Sequence, residues 1–203
     1  MVAYVFDKIL QQGVAAGEVP ARTRAARDWF RETASGFRTT PNELLRGAAN
    51  AEGGSALTNR TLPGRMYTFF YDPKTKRDLP YYDRFPLIFK IKNIDGGFLG
   101  INMHYLPPQL RARLMDALYP LVTNRKYDET TRLRLTYDIL NGATKYRFFK
   151  PTIKKYLNSH VRSRYVLINA NQWDMALFLP TERFVKKNKN FVWRESRRAI
   201  RRR

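Results

Sequence analysis

Cations set among aromatic rings, with no carboxylate nearby to neutralise them, are the residues of this chain best suited to chemistry, and that chemistry is the holding of a polyanion. Between Ile139 and Trp173 there is no Asp or Glu, while Lys145, Arg147, Lys150, Lys154, Lys155, Arg162 and Arg164 all fall inside the window. Tyr146, Phe148, Phe149, Tyr156 and Tyr165 are interleaved with them. Ammonium and guanidinium groups fix phosphates, and exposed rings stack on unpaired bases at roughly 1–3 kcal/mol each. The rings have a competing use as core, which suits Phe148 and Phe149 close to Pro151. The missing carboxylates have no such alternative use, because an ordinary solvated face mixes signs.

A second run closes the chain. Lys186, Lys187, Lys189, Arg194, Arg197, Arg198, Arg201, Arg202 and Arg203 stand against the single Glu195. Such a segment reaches about 60 Å if extended and about 27 Å if helical. A polyanion relieves its self-repulsion in either form; the competing use is a disordered, solubilising end. If six to ten cations meet phosphates, affinity falls roughly 10³- to 10⁵-fold between 50 and 200 mM salt.

Other chemistries lack their residues. His104 and His160 have no metal-ligand spacing, and His104 falls in an alternating strand pattern that makes it structural. The run Gly96-Gly97-Phe98-Leu99-Gly100 belongs to a hairpin and resembles neither a Walker loop nor a dinucleotide fingerprint. Asp78, Asp83 and Asp95 form no compact set with a lysine that would suggest a nuclease. The chain therefore reads as non-enzymatic, with no catalytic residues, no metal, no cofactor and no small-molecule substrate. It has no cysteine, so disulfide and thiolate chemistry are excluded.

Composition agrees with a folded polyanion binder. The chain has 203 residues, 43% hydrophobic and 14% aromatic, with a formal charge of +21. That apolar share belongs to a protein with a core, and the charge to one that meets nucleic acid or an acidic protein. No apolar run approaches 18 residues, the start MVAYVFDKILQQG lacks a basic region before its apolar stretch, and no membrane partner is expected.

The elements that must position the cations follow from periodicity. Residues 1–16 and 21–37 have helical spacing, the second with Arg22, Arg24, Arg27 and Arg31 on a basic outer face. Thr40-Pro41-Asn42-Glu43 is a helix start with a capping box, and residues 48–64 read as a polar linker. Phe85, Leu87, Phe89 and Ile91 alternate with polar or solvent-side positions, and the alternation resumes after Asp95-Gly96 through Leu99, Ile101, Met103 and Tyr105. That pattern is a β-hairpin. With a third strand from Arg65 to Tyr71, it predicts a small antiparallel sheet curled into an SH3-like barrel. Helices are expected at 108–121, with Arg111 and Arg113 on the flank, at 129–140, at 152–161 and at 171–179, and a strand at 163–168. The fold class is α+β: N-terminal helices, a central small sheet, and a C-terminal helical region ending in a basic tail. The expected division is 1–64, a helical arm and linker; 65–185, the α+β core; and 186–203, the basic tail.

At LPYYDRFPLIFKI, GGFLGINMHYLPPQLRARLMDALY, KYDETTRLRLTYDIL, YRFFKPTIKKYLNSHVRSR and WDMALFLPTERF the chain resembles the DNA end protector, or head-completion, proteins of T-even-like tailed phages. The likeness runs from Arg65 to Arg198 and includes the helix around Trp29. It implies a virion component, assembled in the host cytoplasm, that secures the end of the packaged double-stranded genome and prepares the filled head for tail joining. Its implied partners are the DNA end and virion proteins of the neck or tail. The resemblance carries no binding residues with it, so the candidate site is the sixteen cations of the two basic runs. The competing function is a neck, tail or baseplate assembly protein whose basic surface meets acidic subunits without touching DNA.

Overall fold

A computed structural model describes residues 3–19, 23–124, 126–143 and 147–201. Three helices open the chain: α1 (Val5–Ala15), α2 (Arg24–Gly36) and α3 (Pro41–Ala48). Thr23 caps α2 by accepting a hydrogen bond from the Ala26 amide, and Thr40 and Glu43 form the capping box expected for α3. Tyr4, Phe6, Ile9, Phe30, Ala34 and Leu44 from this region enter the main core. The basic outer face expected for α2 needs correcting. Arg27 and Arg31 are buried and point inward, Arg27 to Asp116 at 2.7 Å and Arg31 to Asp174 at 2.7 Å and Asp116 at 3.0 Å.

The strands are β1 (Leu57–Thr58), β2 (Met66–Thr68), β3 (Tyr82–Asp83), β4 (Leu87–Ile94) and β5 (Gly97–Asn102). After helices α4 (Pro108–Thr123) and α5 (Glu129–Ala143) come β6 (Ile153–Leu157), β7 (Tyr165–Ile168), helix α6 (Trp173–Phe178) and β8 (Phe184–Val185). Helix α7 (Lys189–Arg201) ends the described chain. Six strands form one antiparallel sheet in the order β1-β7-β2-β4-β5-β6, while β3 and β8 make a separate ribbon. The fold is α+β, as expected.

The sheet is larger than expected and it is open. Edge strands β1 and β6 do not pair, so the anticipated closed barrel is not formed. Its curl is nevertheless strong enough that Tyr165 of β7 and Phe98 of β5 meet at 6.1 Å, with β2 and β4 between them in the order. One face carries Leu87, Phe89, Ile91 and Ile101 into the main core, which α2, α4, α5 and α6 share, with Phe89 against Trp173 of α6. The other face holds a smaller aromatic core of Tyr67, Phe69, Tyr71, Phe98, Tyr156 and Tyr165. The alternation read between Phe85 and Ile101 is thus the alternation between two cores. The hairpin strand stops at Asn102, and Met103–Tyr105 continues as a 3-10 turn.

The helix expected over 152–161 is instead strand β6 followed by a 3-10 turn at Asn158–His160. Pairing with β5 decides this: Tyr156 lies opposite Phe98 with their rings stacked at 5.4 Å, a cross-strand gain that helical propensity cannot match. Residues 48–64 also contain β1, which pairs with β7 and so belongs to the sheet.

Gly96 turns the β4–β5 hairpin with φ of +67°, in the left-handed region. Gly97 is needed for closeness: a Cβ there would lie 1.9 Å from the Tyr156 carbonyl oxygen. Gly97→Ala should therefore push β6 off β5 and cost about 2–3 kcal/mol. Urea unfolding of the variant measures this, and a midpoint equal to that of the parent would refute it.

Candidate nucleic-acid interface

The final basic run forms helix α7, with Lys186 to Asn188 leading into it. The Asn188 side chain caps the helix by accepting from the Phe191 amide at 2.9 Å. Val192 and Ser196 are buried against the 3-10 turns Met103–Tyr105 and Arg147–Thr152, and Trp193 Nε1 donates to the His104 carbonyl at 2.8 Å. Lys186 has φ of +70°, and its Nζ donates to the carbonyls of Arg77 and Leu79 at 2.7 and 2.6 Å. That lysine is spent on fastening a loop. With the buried face fixed, Arg194, Arg197, Arg198 and Arg201 are all exposed, at spacings of three, four and seven residues. They line one flank of the helix over about 10 Å. Glu195 accepts from Arg198 at 2.8 Å and is the only carboxylate on the helix. Lys187 and Lys189 are exposed at the helix start, their Nζ atoms 4.9 and 5.4 Å from the rings of Phe191 and Trp193. Arg202 and Arg203 lie outside the described residues.

The cations of the first run are divided. Lys145 lies outside the described residues, and so does the side chain of Arg147. Lys150 is exposed on the turn against which α7 packs, so it joins the α7 surface. Lys154 and Lys155 sit on edge strand β6, Lys155 outward and Lys154 inward toward the Tyr105 ring, 4.1 Å from its centroid. Arg162 and Arg164 lie elsewhere. They are exposed beside a polar cleft of about 680 Å³ that also contains Asn59, Lys90, Asn93 and Asn158 and is lined by no carboxylate. Phe149, Tyr156 and Tyr165 are buried, so these rings are core and do not stack on bases.

Lys90, which lines this cleft, was not among the candidate cations read from sequence. Lys90 is 3% exposed, and its Nζ donates to the Thr61 carbonyl at 2.8 Å and hydroxyl at 2.6 Å. Burial lowers its pKa. Its place in the alternating strand β4 is the signal that it faces a core; nothing local points to Thr61.

Between β6 and the loop from Pro73 to Leu79 lies a cavity of about 420 Å³, walled also by Tyr81, Tyr82, Tyr105 and Lys154. A rigid polar network forms its floor. Asp83 Oδ2 receives His104 Nδ1 at 2.7 Å and the Asn102 amide at 3.2 Å, while Oδ1 accepts from the Phe85 and Arg183 amides. Asn102 also donates to the Tyr156 hydroxyl at 3.1 Å. His104 is thereby a buried structural residue. Burial pulls Lys154 down to about 8. Among the described residues no set of three His, Cys, Asp or Glu side chains is placed to hold a metal ion, and no helix is long and apolar enough to cross a membrane.

A family model described as phage T4 terminal DNA protecting protein matches residues 5–198, from the first residue of α1 to the tenth of α7. The chain belongs to the phage T4 terminal DNA protecting protein family. The matched span takes in β6, the residues lining the cavity and three of the four α7 arginines. No curated protein and no solved structure gives a match.

Proposed function

We propose that this protein is a virion component that binds the end of packaged linear duplex DNA, shields it, and helps complete the head for tail attachment. The observation that carries this reading is the stripe of exposed arginines on α7, a helix anchored to the core by Val192 and Trp193. A loose cationic tail would lose conformational entropy on binding; a docked helix has lost it already. In B-DNA each strand rises 3.4 Å per phosphate, so a 10 Å stripe matches the rise of about three phosphates. Contacts of this kind fix position without reading bases, and binding should be independent of sequence. The exposed cations of α7 and its start supply the grip in this reading, and the rest of the chain supplies the scaffold and the surface that meets neck or tail proteins.

The test compares one duplex sequence in linear and covalently closed circular form, across 50–200 mM salt, together with exonuclease digestion of the linear form. The expected result is salt-dependent binding that favours the linear form, with digestion slowed from its ends. Equal affinity for both forms would reduce the protein to a general DNA binder. Absence of salt-dependent binding to either would favour the assembly role, with acidic subunits as the only partners.

A further inference from the structure

We propose that the cavity between β6 and the Pro73–Leu79 loop receives the terminal nucleotide of a DNA strand, with its end phosphate on Lys154. This rests on the DNA-end reading above and adds the recognition element that would separate an end from the middle of a duplex.

The cavity has the composition such a ligand requires. At about 420 Å³ it lies in the size range of small-molecule sites, large enough for one nucleotide and far too small for a duplex. Tyr81 and Tyr82 provide half-buried rings on its wall, flat surfaces against which a base can lie, while the buried Tyr105 ring backs Lys154. Lys154 brings an ammonium into the cavity against the Tyr105 ring, and among the described residues no carboxylate pairs with it. Asp83 is the one carboxylate in the lining, and both its oxygens are occupied by the four donors of the cavity floor. An incoming anion would therefore meet only cations, the exposed Lys74 and Lys155 in the lining and the half-buried Lys154. The lowered pKa of Lys154 has the same origin: a desolvated cation without a counter-ion, which a phosphate would supply.

The geometry also explains why an end would be favoured. An internal nucleotide must be unpaired and unstacked on both sides before it can enter a cavity of this size, at a cost of a few kcal/mol. A terminal nucleotide has only one neighbour, and its phosphomonoester carries more negative charge than a diester. The cavity is adjacent to α7, because Tyr81 contacts Phe191 at 6.1 Å between ring centroids. A duplex lying along the arginine stripe would thus bring its end to the cavity mouth.

The experiment measures equilibrium binding of the full chain to blunt linear duplexes that differ only at their ends: 5′-phosphate, 3′-phosphate, or hydroxyl at both. One charge-assisted contact predicts about 10- to 100-fold tighter binding to one of the phosphorylated forms than to the hydroxyl form. The position of the phosphate that gives the gain identifies the strand end. In Lys154→Met, checked for folding by thermal unfolding, the ratio between phosphorylated and hydroxyl ends should collapse to about one. If the parent protein binds linear DNA with normal salt dependence but does not distinguish the three ends, the cavity inference fails and the DNA-end reading stands. If it binds no duplex at all, both fail. A phosphate preference that survives intact in Lys154→Met would also overturn the assignment.

Discussion

Arg111→Ala should cost about 5 kcal/mol or more and leave the protein largely unfolded under ordinary conditions, given that a domain has about 5–15 kcal/mol in total. Arg111 is 1% exposed. Its guanidinium donates to the carbonyls of Leu106 at 2.7 Å, Leu177 at 2.6 Å and His104 at 3.4 Å, and to Glu182 at 2.6 Å. One side chain thus ties α4 to the Met103–Tyr105 turn, to α6 and to the strand entering α7. Truncation strands a buried carboxylate, worth about 3–5 kcal/mol, and leaves carbonyls without donors at about 1–3 kcal/mol each. Arg111→Lys should rescue little, because a single ammonium cannot reproduce the planar fork. Arg111→Met with Glu182→Leu should be milder than Arg111→Ala, since no charge is then left unpaired. Urea unfolding followed by circular dichroism measures all three. A loss below about 1 kcal/mol in Arg111→Ala, the scale of an exposed ion pair, would refute this account.

The same pair sets an acid limit. Burial raises the Glu182 pKa, but the neighbouring His104 and the charge and hydrogen bond of Arg111 outweigh it and hold the group at about 2. A carboxyl depressed from 4.5 contributes stability that is fully present above about pH 4.5 and is lost as pH falls toward 2. The loss amounts to roughly 3 kcal/mol. Stability measured from pH 6 down to pH 2.5 should fall across this window, and Glu182→Gln should flatten that part of the profile.

The largest functional effect is expected from α7. Changing Arg194, Arg197, Arg198 and Arg201 together to Gln should weaken binding to linear duplex about 10²- to 10³-fold near 150 mM salt and reduce the log–log salt slope by about 3–4. Because these side chains are exposed, stability should change by less than about 0.5 kcal/mol per site. An unchanged slope would remove α7 from the interface. Arg162→Gln with Arg164→Gln then tests the separate cleft beside Lys90, and a comparable loss of slope there would move the grip to that face.

Local chemistry in the sequence carried the local structure. The Thr40 capping box, the Asp95-Gly96 hairpin and the termination of α6 before Pro180 all follow from neighbours within a few residues. Asp128 caps α5 in the same local way, accepting from the Thr131 amide at 2.6 Å. What could not be read was which cations have distant partners. Arg31 finds Asp174, 143 positions away, and Arg111 finds Glu182, 71 positions away, so both looked like surface charge on amphipathic helices. Residues 152–161 read as helix because the stacking partner of Tyr156 is Phe98, in another part of the chain. For the candidate interface, charge counting located the arginines of α7 but could not distinguish Lys186, a loop fastener, from Lys189, an exposed cation. Nor could it place Lys154 inside a cavity whose Tyr81, Tyr82 and Tyr105 precede it by about fifty to seventy residues.

Strand β2 lies between β4, which follows it closely, and β7, which lies about a hundred residues further along. During synthesis the hairpin half of the sheet can form early, but the far edge of β2 stays unpaired until β7 emerges, and β1 has no partner before then. An exposed strand edge next to an apolar face invites intermolecular pairing. The order of emergence makes the C-terminal third of this chain its own protection: β7 closes the edge, α6 then covers the core, and α7 docks last. The arginine helix is therefore displayed in its anchored form only on a molecule whose core is complete.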